Sequence, residues 1–199
     1  MYFMRRIVML FVLILSVLAS NAQKKKNIIY PEVYFDSTQA KKALGIGKGT
    51  IEGRAYTKPR NGYGFKAPLA NKIYASNSTV ILLPVTPYFD AWYALRKKKE
   101  GKKTTVYMSD EAYRWRLEAR TDEEGRFTFD KMLPGRYFLQ VIIGYSTRYT
   151  QNVYSGSGYN SYGRTDYYTP QDYYVDHSER AEDFVDVKED GEIVKVKLH

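Results

Sequence analysis

The chain has 199 residues, no cysteine, two histidines and a formal net charge of +9. Without cysteine it forms no disulfide and lacks the lipidated cysteine of a bacterial lipoprotein, and the usual zinc and copper ligand sets are missing. We therefore expect a fold held by its apolar core, with no cofactor and no metal. The charge is typical of nucleic-acid binding. The N-terminus predicts export, however, so an anionic glycan, phospholipid headgroups or an acidic protein fits better than nucleic acid.

Residues 1–22 have the pattern of a secretory signal peptide. Two arginines precede the apolar run Ile7–Leu18, and the small residues Ser20 and Ala22 stand before a predicted cut at Gln23. The alternative is a retained membrane anchor, but the run is shorter than the roughly 20 apolar residues that span a bilayer comfortably. We expect export to the periplasm or cell envelope, with no integral membrane span after cleavage.

Residues 23–46 predict an N-terminal arm followed by a short helix. Asp36 and Gln39 have the spacing of a capping box, and Gly45 is a typical stop signal. The first strand is predicted at Gly49–Tyr56. A connection rich in Gly, Pro and Asn, without clear periodicity, follows this strand.

Thr79–Val85 is apolar on both faces, which predicts a central strand. The next segment predicts a helix within an insertion at residues 87–110, because Thr86 can cap it and Pro87 suits its first position. Its apolar face is predicted to consist of Tyr88, Trp92 and Leu95.

Tyr113–Thr121 alternates apolar and charged side chains and predicts a strand with one buried face. The segment Thr121–Val141, TDEEGRFTFDKMLPGRYFLQV, then predicts two antiparallel strands and both of their turns. Phe127 and Phe129 share one face of the first strand, and Gly125 supplies the conformational freedom that its tight turn needs.

The C-terminus predicts a hairpin across Asp190-Gly191, in which Val185 and Val187 pair with Val194, Val196 and Leu198. About seven strands with turns between them predict an all-β fold. We expect a seven-stranded antiparallel two-sheet β-sandwich with a short N-terminal helix and one inserted helix. Its core is predicted to contain Ile51, Leu82, Trp115, Leu117, Phe127, Phe129 and Leu139.

Four motifs carry a resemblance to a known family: GTIEGRAY, VILLPVTPYFDAWY, TDEEGRFTFDKMLPGRYFLQV and VDVKEDGEIVKVKL. Together they resemble the carboxypeptidase regulatory-like (transthyretin-like or prealbumin-like) domain, in the form found in small exported Bacteroidetes proteins. The resemblance implies that residues 47–199 form one such β-sandwich, with insertions at 87–110 and 144–175. It also implies a non-catalytic module, because domains of this family are usually not enzymes.

The segment Tyr145–Tyr174 interleaves tyrosine with glycine and serine, and it is predicted to be an adaptable recognition loop. The alternative is a long hairpin extension whose tyrosines pack on each other and on the sandwich, or a partly disordered loop. The candidate ligand-binding residues are Tyr154, Tyr159, Tyr162, Tyr167, Tyr168, Tyr173 and Tyr174.

The sequence thus predicts a non-enzymatic, exported β-sandwich module that binds or scaffolds at the cell envelope, with an envelope protein or glycan as partner. No nucleophile motif, phosphate-binding glycine loop or catalytic residue is identified. The alternative is a carboxylate-dependent envelope hydrolase, since acidic pairs such as Asp122/Glu123, Glu182/Asp183 and Glu189/Asp190 are present. A third possibility is an assembly partner that docks through its two insertions. The pattern fixes neither the ligand nor the oligomeric state.

Overall fold

The computed structural model describes residues 26–60, 65–66 and 68–199, so the predicted signal peptide lies outside the described residues. The described residues divide into two compact units, one from 26–36 and 86–114, the other from 37–60, 65–66, 68–85 and 115–199. The elements in chain order are β1 Asn27–Ile29, α1 Ser37–Ala43, β2 Gly49–Thr57, β3 Ile73–Tyr74, β4 Thr79–Pro84, α2 Pro87–Lys99, β5 Thr104–Val106, α3 Asp110–Arg114, β6 Leu117–Arg120, β7 Arg126–Met132, β8 Gly135–Asn160, β9 Gly163–Val187 and β10 Ile193–Leu198.

The smaller unit is built on the predicted inserted helix, α2. Thr86 caps the helix as predicted, because its hydroxyl accepts the backbone N–H of Phe89 at 3.3 Å. Strand β1 pairs with β5 in parallel. The indole Nε1 of Trp92 donates to the carbonyl oxygen of Val106 at 3.3 Å, and the Tyr88 hydroxyl accepts the N–H of Ser109 at 2.8 Å. These bonds hold the helix to the segment that follows it.

The larger unit is the predicted all-β sandwich. One sheet contains β10, β2 and β3, with β7 pairing with β2, and the other has the order β6-β4-β8-β9. Most pairs are antiparallel, but β10 runs parallel to β2. The described residues of this unit therefore contain eight strands, and the two-residue β3 accounts for the difference from the predicted seven.

The predicted core is largely confirmed. Ile51, Leu82, Phe127, Phe129 and Leu139 all belong to the buried cluster between the sheets, and Leu117 packs against it half-buried. Trp115 does not belong to this cluster. Tyr137 is buried in the cluster, and its hydroxyl donates to the carbonyl oxygens of Leu133 (2.8 Å) and Ala43 (3.0 Å), which ties α1 to the sandwich.

The predicted strand Tyr113–Thr121 is too long. Tyr113 lies in α3 with 44% of its surface exposed, and the strand begins only at Leu117. The alternation from Tyr113 onward matched a strand, but Asp110 and Glu111 stabilise a helix start just before it, since acidic side chains favour the first turn.

The predicted C-terminal hairpin is wrong in its pairing. The turn exists, because Gly191 has φ +89° and the N–H of Glu192 donates to the Glu189 carbonyl oxygen at 3.2 Å. Beyond it, however, the chain crosses to the other sheet, where β10 pairs with β2 in the register Val194↔Ile51. β9 instead pairs with β8.

Candidate recognition surface

The two longest strands, β8 and β9, form a single hairpin that extends far beyond the sheet. β4 covers β8 only as far as Val141, whereas the β8–β9 pairing continues from Gly144↔Ser178 to Asn160↔Gly163. We call residues 144–178 the ribbon. Its 17-residue strand, 144–160, spans about 55 Å at roughly 3.3 Å per residue. The Tyr-rich segment therefore forms a long hairpin extension. This was the alternative to the adaptable recognition loop that the sequence predicts.

The tip and one irregularity of the ribbon depend on glycine. At the tip the Asn160 side-chain oxygen accepts the N–H of Tyr162 at 2.9 Å, and Gly163 takes φ +126°. A register shift between Tyr154 and Gly156 marks a bulge, at which Gly156 has φ +146°. These backbone angles favour glycine, so the glycines of this segment shape the hairpin.

Tyrosines occupy both faces of the ribbon and pair across its strands. On the face that continues the sandwich core, Tyr149 and Tyr173 stack with ring centroids 5.6 Å apart, and Tyr145 stacks on His177 at 5.0 Å. On the opposite face, Tyr154 and Tyr168 meet edge to face at 6.0 Å. Such pairs stabilise an otherwise uncovered two-stranded hairpin.

All seven candidate binding tyrosines lie on the ribbon and are exposed. Their exposed fractions run from 47% for Tyr173 to 98% for Tyr162 at the tip. They do not form one row: Tyr167 and Tyr173 lie on the core-side face, whereas Tyr154, Tyr159, Tyr168 and Tyr174 lie on the other. Three of the seven, Tyr154, Tyr168 and Tyr173, pack on another tyrosine across the ribbon, and each of the seven leaves about half of its surface or more exposed.

Short polar side chains fix the register of the ribbon. The Thr150 hydroxyl donates to Asp172 at 2.6 Å, and the Ser146 hydroxyl donates to Asp176. Arg164 pairs with Asp166 at 2.7 Å. These bonds engage part of the ribbon's polar side chains, and the exposed tyrosine rings are its largest apolar groups open to a ligand.

The composition of the ribbon differs sharply from that of the remaining chain. Its 35 residues contain nine tyrosines and no lysine or glutamate, although both charged types are frequent elsewhere. Protein interfaces are enriched in tyrosine and depleted in lysine and glutamate. Exposed sheet edges, in contrast, are commonly protected by lysine, which is absent here. The ribbon therefore has the composition of a contact surface.

A buried carboxylate joins the base of the ribbon to the connection after β2. Glu179, whose side chain is 10% exposed, accepts the Thr57 hydroxyl at 2.8 Å and pairs with Arg60 at 2.7 Å and Lys66 at 3.5 Å. Burial opposes ionisation of this carboxyl, but the bonds from Thr57 and Arg60 and the nearby cations outweigh it and lower its pKa. Sequence reasoning missed this cluster because its members are more than 100 residues apart.

An open groove of about 920 Å³ lies on the sandwich, with charges of both signs along it. Its charged lining residues are Glu52, Arg54, Glu118, Arg120, Asp122, Arg126, Lys195 and Lys197. Asp122 accepts the backbone N–H of Arg126 at 2.8 Å and pairs with its side chain at 2.6 Å. These contacts hold the pKa of Asp122 below its ordinary value, whereas a general acid needs a raised pKa.

Acids in two of the three sets considered for a hydrolase, those of the turns at 122–124 and 189–190, have structural partners. Glu124 pairs with Arg126 at 2.5 Å, and Asp190 accepts the backbone N–H of Lys48 at 2.8 Å. These bonds close turns and fix a strand entry, which is the ordinary use of acids in such positions. Within residues 26–60, 65–66 and 68–199, no group of three acidic or histidine side chains is arranged to hold a metal ion. In the same part of the chain, no helix is long and apolar enough to cross a membrane.

Comparisons with known proteins identify a solved structure of similar fold, but they do not assign the chain to a family. No protein-family model matches the chain, and no curated protein matches it. Among solved structures, the crystal structure of a "putative carbohydrate binding protein" from Pseudomonas aeruginosa matches with a TM-score of 0.54 and 19% sequence identity, over 83% of this chain and 97% of that one. At this identity the likeness shows a shared fold alone. The resemblance to the carboxypeptidase regulatory-like domain stays a prediction.

Proposed function

We propose that this chain is a non-enzymatic binding module of the cell envelope that contacts an envelope glycan through the tyrosines of the ribbon. The observation that carries the proposal is the ribbon itself, a long paired hairpin with exposed tyrosines on both faces and no lysine or glutamate. A two-stranded hairpin in water is marginally stable on its own. A partner that covers these faces accounts for a feature that contributes nothing to the sandwich core.

The chemistry of the exposed side chains favours a sugar. A pyranose ring has an apolar C–H face and a rim of hydroxyls, and tyrosine offers a flat apolar ring with a hydroxyl at its edge. Serine, threonine and asparagine beside the rings supply further hydrogen bonds at low entropic cost. The neighbour described as carbohydrate-binding has the same fold, which supports this ligand class.

Export to the periplasm or cell envelope is part of the proposal. Its support is the signal-peptide pattern of residues 1–22. An exported chain meets envelope polysaccharides, whereas a chain retained inside the cell does not.

A matched pair of tyrosine variants tests the proposal. The first variant, Tyr154→Ser/Tyr168→Ser, removes a ring pair on the ribbon, and the control, Tyr34→Ser/Tyr107→Ser, removes two exposed tyrosines elsewhere. Calorimetric titration with polysaccharide isolated from the producing cell's envelope gives both affinities. Two aromatic contacts of about 0.5–1.5 kcal/mol each predict a loss of roughly 5- to 150-fold in affinity for the ribbon variant.

The control variant should bind within about twofold of the wild type, since its rings lie outside the ribbon. Equal affinity of both variants, or no binding of any envelope polysaccharide by the wild type, would contradict the proposal. Thermal unfolding of each variant shows whether a loss of affinity reflects a loss of fold.

A further inference from the structure

The smaller unit concentrates its positive charge at one end. Five lysines lie there. One directly precedes β1, two are the last residues of α2, and two lie in the connection between α2 and β5. We call them the lysine end, which consists of Lys26, Lys98, Lys99, Lys102 and Lys103.

The pairing of β1 with β5 brings these residues together. Because the two strands run parallel, their first residues lie side by side, and the N–H of Asn27 donates to the carbonyl oxygen of Lys103 at 2.9 Å. Gly101 then returns the chain from the end of α2 to the start of β5, with its N–H bonded to the Thr104 carbonyl oxygen at 3.0 Å. Residues distant in sequence therefore share one surface.

The lysine end carries uncompensated charge. All five side chains are exposed, and the ion pairs of the described residues include none of them. The one acid among them in sequence, Glu100, pairs with Arg96 at 3.2 Å. The surface is therefore a cluster of hydrated ammonium groups open to an anionic partner.

Five of the six acids described in the same unit lie toward its opposite end, and Glu100 is the exception. Glu32 and Asp36 follow β1, Asp110 and Glu111 follow β5, and Asp90 lies in the first turn of α2. The bond between Tyr88 and the N–H of Ser109 places the start of α2 beside that end. Apart from Glu100, the described acids of the unit therefore lie at the end opposite the five lysines.

The helix dipole explains only part of this arrangement. Cations favour the last turn of a helix, which accounts for Lys98 and Lys99. Lys26, Lys102 and Lys103 lie outside α2, beyond its last turn, where the effect of the dipole falls off. Their presence beside the helix end calls for a different reason.

We propose that the lysine end docks on anionic phospholipid headgroups. A membrane surface suits several lysines at the rim of one unit, because each contributes separately to attraction by an anionic lipid layer. The chain also enters this end directly from its N-terminal segment, in which the apolar run Ile7–Leu18 and Lys24–Lys25 precede Lys26. Export through a membrane thus delivers the lysine end next to a lipid surface. The lysine end consists of residues other than those of the ribbon, so its docking on lipid rests on the proposed export but not on glycan binding.

Vesicle binding tests the proposal with the purified full chain. Vesicles of phosphatidylcholine with phosphatidylglycerol are compared with phosphatidylcholine alone, so that any apolar insertion by the N-terminal segment is common to both. The test variant is Lys98→Gln/Lys99→Gln/Lys102→Gln/Lys103→Gln. The control, Lys41→Gln/Lys42→Gln/Lys188→Gln/Lys195→Gln, removes the same charge from exposed positions of the larger unit.

We expect the wild type and the control to sediment preferentially with anionic vesicles at about 0.15 M ionic strength, and high salt to release them. The test variant should bind the anionic vesicles at least about tenfold more weakly. Equal losses in both variants would show a general charge effect and overturn the proposal. Binding of an anionic polysaccharide such as polygalacturonate, without any preference for anionic vesicles, would overturn it as well.

Discussion

Substituting Gly53 by alanine tests the packing of the sandwich at its tightest point. Gly53 of β2 lies directly opposite Phe127 of β7, and the Phe127 ring crosses the space that a side chain at position 53 would occupy. An ideal Cβ there would lie 2.0 Å from Phe127 Cζ, far inside any real contact. The ring is 3% exposed and meets Phe129 at 6.0 Å, so it cannot tilt away freely. Overpacking of this kind costs about 1–3 kcal/mol.

A double-mutant cycle separates this clash from other effects. Phe127→Ala alone should cost roughly 3–5 kcal/mol, because it leaves a cavity in the core. In that background Gly53→Ala should cost almost nothing, since the obstructing ring is gone. Urea unfolding of the four proteins gives the coupling. The control is Gly144→Ala, whose added Cβ would come no closer than 4.0 Å to a neighbour. If Gly53→Ala costs no more than Gly144→Ala, or costs the same in both backgrounds, the register of β2 against β7 is wrong.

Two further predictions concern the bonds at the edges of the core. Tyr137→Phe removes the hydroxyl that bonds the Leu133 and Ala43 carbonyl oxygens. The free energy of unfolding, measured in urea, should fall by about 0.5–1.5 kcal/mol. An unchanged free energy of unfolding would refute those bonds. Glu179→Gln should lower the melting temperature at neutral pH. Since the pKa of Glu179 is lowered by folding, this difference should shrink as the pH falls below 4.5 through the folded-state pKa. A difference that does not change with pH would contradict the ion-pair assignment.

Local patterns predicted the strands well but not all of their partners. The alternation in Arg126–Met132 identified the buried faces of Phe127 and Phe129, because a strand's side-chain period depends only on its own backbone. The opposition of Gly53 and Phe127 was not predictable, since register depends on the turn and on the whole sheet. Residues that alternate show which face is buried, but not which strand lies beside it.

The C-terminal error shows the same limit. Asp190-Gly191 is a strong turn signal, and it does form a turn. The strand after a turn can pair with the strand before it or with an unpaired strand edge of the other sheet. Here β2 offers one, and β10 pairs along it from Ile193↔Thr50 to Leu198↔Ala55. Such pairing is set by packing across the sandwich, which a local pattern does not contain.

The ribbon could have been predicted with more weight on strand propensity. Its glycines and serines are typical of a loop, but nine tyrosines and four threonines lie among them and favour strands. The two-residue turn between Asn160 and Gly163 has Ser161-Tyr162 at its centre instead of the Asn-Gly or Asp-Gly pair that signals a tight hairpin. The Glu179 cluster, in contrast, had no local signal, since Thr57 and Arg60 reach it only through the fold.

Deletion of residues 151–171, the outer part of the ribbon, is the most direct test of the claim that the ribbon binds the ligand. Thr150 and Asp172 are directly paired, so replacing Gln151–Gln171 by Asn-Gly leaves a short hairpin in register. The core cluster includes no residue of the deleted segment, so we expect the sandwich to keep a cooperative melt. The decisive measurement is the affinity of this variant for envelope polysaccharide, beside the full chain. The account predicts that binding is lost while the fold remains, and a folded variant that binds as tightly as the full chain would contradict it.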